Sequence, residues 1–170
     1  MDSEAVASDL GSPKKEIFIA HGKDLRPLNE LKEILTDVGL TPVVLSEQPS
    51  GGKTVIEKLE AYSDVGYAFI ILTPDDLGGY VEAGGSVWSR PKRLREFLKS
   101  AQIRPRQNVI LEFGFFAGKL GRSRITCLLR KPVEQPSDMM GIVYLSFKES
   151  LMEIRSEILK ELRAAGYDIP

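Results

Sequence analysis

The chain has 170 residues, 42% apolar and 28% charged, with a formal net charge of −1. That suits one globular domain with a single core and excludes a general attraction to polyanions. No nucleic-acid partner is expected, because the one basic stretch, residues 90–106, reads as a solvated insert. One cysteine, Cys127, and one histidine, His21, exclude an intrachain disulfide and a Cys/His zinc site. There is no apolar run of membrane-spanning length and no signal-peptide core, so a cytoplasmic protein with no membrane partner is expected.

Residues 1–14 (MDSEAVASDLGSPK) are polar and aperiodic, and read as a flexible leader to a domain over 15–170. The run EIFIA at 16–20 predicts a strand. Leu28, Leu31, Ile34, Leu35 and Val38 recur at helical spacing, with Gly39 as the stop. Residues 42–45 (PVVL) predict a second strand and 54–62 a second helix, with Val55, Ile56 and Leu59 inward. Residues 67–72 (YAFIIL) are continuously apolar, as a strand covered on both faces must be. A long irregular stretch is expected over 73–105, with a basic helix at 93–100. Cys127 lies in a fourth predicted strand, 124–129 (RITCLL), as an inert core thiol. A fifth strand follows at 141–145 (GIVYL), and a helix over 151–165 closes the chain.

Strand and helix alternate throughout. Crossover helices imply an α/β, flavodoxin-like, doubly wound five-stranded parallel sheet, in the order 2-1-3-4-5. Ligands of such folds bind at the carboxyl ends of the strands, near the switch point. The segments at those ends are HGKD (21–24), SEQPSGGK (46–53) and TPDD (73–76).

Each segment has a plain and a functional reading. SGGKT resembles the end of a phosphate-binding loop, but Glu47 stands where the first glycine belongs; a glycine-hinged loop opening a helix remains. Asp75 and Asp76 lack the other acids and the lysine of a phosphotransfer receiver. His21 is a candidate general base, although no nucleophile is tied to it. Asp24 is placed to cap the following helix. In RQNVILEFGFFAGKLG (106–121), Asn108, Glu112, Phe115 and Lys119 share one helical stripe. Val109, Phe113, Phe116 and Leu120 make the adjoining apolar face, and Gly114 and Gly118 lie where another backbone can approach. Periodicity leaves Glu112 balanced between a wet face and a pocket lined by aromatic neighbours.

IFIAHGKD (17–24), LSEQPSGGKTVIEKLEAYSDVGYAFIILTPDDLG (45–78), RPRQNVILEFGFFAGKLGR (104–122) and PSDMMGIVYLSF (136–147) together resemble the bacterial and archaeal TIR-like domains of the nucleotide-binding class. Such domains are found fused to STING-like or cyclic-nucleotide sensors in anti-phage systems. The resemblance implies a TIR fold and an NAD+ glycohydrolase that is switched on by self-assembly. NAD+ is then the substrate, with no cofactor and no metal. It implies Glu112 as the catalytic carboxylate, from the family's NV-x-x-E-x-G segment. His21, Gly22, Lys23, Asp24, Thr73 and Asp75 would line the pocket and Asn108 would contact substrate, while Lys23 or Lys53 would meet the pyrophosphate. The implied partners are a homo-oligomeric TIR assembly and a sensor domain or protein supplied separately. A non-catalytic TIR interaction module and a nucleotide-sensing regulator are the alternatives.

Overall fold

Continuous apolar runs at 17–20, 67–72 and 125–129 are buried on both faces, which is the environment that such β-branched and aromatic strands require. In the computed structural model, which describes residues 13–79, 91–135 and 141–170, they form β1 (Glu16–Ala20), β3 (Tyr67–Leu72) and β6 (Ile125–Arg130). Strands β2 (Thr41–Val44) and β7 (Val143–Phe147) complete a five-stranded, all-parallel sheet in the order β2-β1-β3-β6-β7. Numbered among the parallel strands alone, that is the expected 2-1-3-4-5 order.

Helices cover both faces. On one, α1 (Leu25–Asp37) and α5 (Arg155–Ala164) press Leu31, Ile34, Leu35, Ile158 and Leu162 onto Ile17, Ile19, Phe69 and Ile71. On the other, α2 (Val55–Ala61) and α4 (Gln107–Leu120) press Leu59, Val109, Phe113 and Phe116 onto Phe18, Ala20, Ile70 and Cys127. Alternate residues of one strand thus feed two separate cores, as the two-residue period of a strand dictates. Cys127 is fully buried, and desolvation pushes its thiol up to about 12.

Several elements depart from the sequence expectation. In the stretch expected to be irregular, 73–105, residues 80–90 lie outside the described residues, and the rest holds more than a helix. Strand β4 (Asp76–Gly78) pairs antiparallel with β5 (Gln102–Arg104), and α3 spans Pro91–Ser100. Three-residue strands with exposed side chains carry no alternation for a sequence reading to find. Of the three residues expected inward on the second helix, only Leu59 is. Val55 and Ile56 are 57% and 46% exposed, because the first turn of α2 lies at a cavity rim rather than against the sheet. Gly114 and Gly118 face open space, and a Cβ built on either meets no atom within 4 Å. Of the expected leader, residues 1–12 lie outside the described residues. Lys14 accepts a 2.9 Å hydrogen bond from Tyr167 Oη and pairs with Asp64. Among the described residues, no helix is long and apolar enough to cross a membrane.

Candidate functional site

A cavity of about 310 Å³ opens where the chain passes from β1 into α1, beside the loop after β2. This is the switch point, since β2 flanks β1 on one side and β3 on the other. Ile19, His21 and Gly22 come from the end of β1, and Leu45, Ser46, Ser50 and Lys53 from the loop after β2. Val55 and Lys58 come from α2, and Arg106, Asn108 and Glu112 from α4 and its leading residue.

The orientation of α4 decides where Glu112 points. Phe116 stacks on Phe18 of β1 with ring centroids 4.1 Å apart, and Val109 and Phe113 are buried beside it. With those three held against the sheet, helical geometry swings Asn108 and Glu112, one turn apart, toward the cavity. The same geometry corrects the expected aromatic surround. None of Phe113, Phe115 and Phe116 lines the cavity, whose apolar wall is Ile19, Leu45 and Val55. The Glu112 carboxylate makes no hydrogen bond or ion pair with any described residue. Burial pushes its carboxyl up to about 7, against the opposing charge of Arg106. A carboxylate here is costly to ionise and has spare acceptor capacity, which suits it to meet a ligand cation or hydroxyls.

His21 lines the same cavity. Its Nδ1 is 2.8 Å from the Gly22 carbonyl oxygen, so Nδ1 carries a hydrogen and donates it. Its Nε2 is 3.3 Å from Ser46 Oγ, which joins the β1 end to the loop after β2. In that loop Gly51 and Gly52 have φ of 52° and 76°, a region that glycine enters without strain. The turn they make brings Lys53 back to donate its N–H to the Ser50 carbonyl at 2.9 Å. Helix α2 then opens with a capping box. Thr54 N–H donates to Glu57 Oε2 at 2.7 Å, and Glu57 N–H donates to Thr54 Oγ1 at 3.3 Å. The N-terminal amides that an anion would seek are therefore partly taken.

Of the residues expected in the pocket, the structure brings His21, Gly22, Lys53, Asn108 and Glu112 to one cavity. Lys23, Asp24, Thr73 and Asp75 are not on its wall. Asp75 accepts the Lys23 N–H at 2.9 Å and the Thr73 hydroxyl at 3.0 Å, and so pins the HGKD loop to the end of β3. Gly22 sits against that pin, where an added Cβ would lie 1.8 Å from Asp75 Oδ2. Asp24 caps α1 by accepting the Arg26 N–H at 3.0 Å, and it pairs with Arg130 of β6 at 2.6 Å. Hydrogen bonding from Arg26 is the main influence holding its carboxyl below the usual range, with Arg130 adding to it.

Sequence reasoning missed Lys58 and Arg106, whereas Ser46 and Ser50 belong to the SEQPSGGK segment expected beside the ligand. Lys58 fell inside a stretch read only for its apolar positions. Arg106 was counted with a basic insert rather than as the residue that leads into α4.

Residues 16–149 match the family model for the TIR domain of CAP12/Pycsar effector proteins. The chain is 37% identical to the Escherichia coli protein YuaY over 153 residues, covering 89% of this chain and 46% of that one. It is 30% identical to protein tirC of Dictyostelium discoideum over 158 residues, covering 89% and 73%. It is 28% identical to CD-NTase-associated protein 12 of Sphingobacterium faecium over 156 residues, covering 88% and 42%. The chain therefore spans about half the length of the first and third of these relatives.

Proposed function

From the premise that this chain belongs to the CAP12/Pycsar effector TIR family, we propose that it is an NAD+ glycohydrolase of an anti-phage system. It cleaves the bond between nicotinamide and ribose, and self-assembly of TIR domains switches it on. The observation that carries the reading is Glu112, a half-buried carboxylate without a hydrogen-bond partner among the described residues, on the wall of the switch-point cavity.

In this reaction the carbon–nitrogen bond breaks toward nitrogen. Nicotinamide takes the bonding pair and leaves as a neutral molecule, and the ribosyl group is left cationic, like an oxocarbenium ion. An ionised Glu112 stabilises that cation more than it does the ground state, which is the requirement for catalysis. The apolar wall of Ile19, Leu45 and Val55 keeps the local dielectric low and strengthens the interaction. Asn108, one turn before Glu112, is placed to hold a ribose hydroxyl or the nicotinamide amide. Water completes hydrolysis to ADP-ribose, and attack by a group of the adenine gives a cyclic form instead.

Exposed Val55 and Ile56 at the first turn of α2 favour a contact made between domains at the cavity's rim. A sensor that responds to the upstream signal supplies the trigger, from the same polypeptide or a separate one. The test is nicotinamide release from NAD+ by protein clustered on a multivalent scaffold. Wild type is expected to release it, and Glu112→Ala to lower the rate at least a hundredfold with unchanged circular dichroism. Clustered wild type that releases none would leave the non-catalytic assembly module as the function. Release by Glu112→Ala at the wild-type rate would remove the residue assignment.

A further inference from the structure

Lys58 is the one charged residue among the buried described positions, only 9% exposed, and it lines the cavity. Its ammonium makes no hydrogen bond or ion pair with any described residue. Two partly buried lysines elsewhere in the fold are engaged: Lys32 with Glu47 at 2.7 Å, and Lys119 with Ser63 Oγ at 2.6 Å. Its helical neighbour Glu57 is held by Thr54. Glu112 does not neutralise it either, since the charge that acts on Glu112 is that of Arg106. The stem is buried while the ammonium keeps its access to the cavity's solvent, with no protein counter-charge beside it, so it is open to an anion. A site that keeps such a charge has a use for it when a ligand arrives.

The cavity as a whole has the same bias. Lys53, Lys58 and Arg106 stand on its wall against the single carboxylate of Glu112, with the Ser46 and Ser50 hydroxyls between. We infer that Lys58, with Lys53 on the same cavity wall, forms a phosphate subsite that holds the anionic phosphates of a nucleotide substrate while Glu112 meets its ribose. The inference rests on the proposed reaction for the identity of the substrate, but not for the presence of an anion site. An ammonium is a compact point charge with three donors, suited to phosphate oxygens of varied geometry. The cavity is at the lower end of the roughly 300–1,000 Å³ of small-molecule pockets. Its charge is therefore directed at the phosphates and the ribose next to them, and the far nucleoside is left outside the wall.

The test uses Lys58→Met, which keeps the unbranched apolar stem and removes the charge, so the fold is retained. Calorimetric titration with ADP-ribose, inorganic pyrophosphate and nicotinamide riboside needs no turnover. Wild type is expected to bind the first two, and Lys58→Met to weaken both at least tenfold while leaving nicotinamide riboside unchanged. Lys58→Arg should recover most of the loss. In steady state, KM for NAD+ should rise at least tenfold in Lys58→Met with kcat within a factor of three. Equal affinity of folded Lys58→Met and wild type for ADP-ribose and pyrophosphate overturns the subsite, as does no binding of either by wild type. Equal weakening toward nicotinamide riboside also overturns it, since that ligand has no phosphate. A loss for pyrophosphate but not ADP-ribose means a site for free anions and overturns the nucleotide assignment. The two proposals fail separately. Lys58-dependent binding without nicotinamide release leaves the subsite standing and removes the reaction. Release with an unchanged KM in Lys58→Met does the reverse.

Discussion

Glu112 costs the fold stability so that a charge can stand in the cavity. Its carboxyl is raised from 4.5 to about 7 by burial. Between those values the folded chain holds a proton that the unfolded chain has released, so stability falls as pH rises through the window. The shift corresponds to about 3 kcal/mol at most, present above pH 7 and absent below 4.5. Glu112→Gln should therefore match wild type near pH 4.5 and exceed its unfolding free energy by up to about 3 kcal/mol at pH 8. Denaturant unfolding at the two pH values measures this, and a difference that does not change with pH would contradict a half-buried, unpaired acid. The proposed reaction uses the ionised form, so kcat/KM for NAD+ should rise with pH along a limb centred near 7. Arg106→Gln removes the charge that favours ionisation and should move that limb to higher pH. Gly22 sets a tighter condition. A methyl at Gly22 collides with the carboxylate that pins its loop, so Gly22→Ala should cost roughly 1–3 kcal/mol and most of the nicotinamide release. Thermal melting and the release assay report the two effects.

At the scale of elements, α4 is a lever whose rotation is fixed on one side and used on the other. Phe116→Ala leaves a hole against Phe18 and should cost about 3–5 kcal/mol. Its KM for NAD+ should rise even where the protein remains folded, because Asn108 and Glu112 lose their aim. Much of this element was legible in the sequence. The apolar triad Val109, Phe113 and Phe116 has helical spacing, and it fixed which face is inward. Which side of the remaining surface meets a cavity was not legible, because that depends on β1 and the loop after β2 arriving from 60 to 90 residues earlier. The same limit explains α2. Spacing put Val55 and Ile56 inward with Leu59, but a two-turn helix that overhangs the sheet has only one turn to bury. Lys58 escaped notice for a related reason, since a lysine between Glu57 and Leu59 reads as a wet position until the fold closes over it. The roles of Asp24 and Asp75 divide likewise. The cap on α1 followed from local sequence, whereas Asp75's hold on the Lys23 amide spans 52 positions.

For the whole molecule, strand order was readable because continuous apolar strands separated by helices permit few parallel topologies. The short β4–β5 ribbon was not, because it has no core face to leave a pattern. One other closure also lacked any periodic signal. Tyr167 donates its hydroxyl to the Lys14 carbonyl at 2.9 Å, and a Cβ at Gly66 would lie 2.3 Å from Tyr167 Oη and 2.4 Å from Lys14 O. Gly66→Ala should lower stability by roughly 1–3 kcal/mol, read as a fall in melting temperature, with the cavity's ligand affinities unchanged.

That clasp lies at the amino ends of β1 and β3, the opposite pole of the sheet from Glu112. The described chain enters past Lys14 and leaves past Tyr167 at this one pole, so an attachment made at either point hangs away from the cavity. A scaffold can then gather many copies by either end without plugging a single cavity mouth. A short peptide bridging the two ends should also yield a circularly permuted protein that still works.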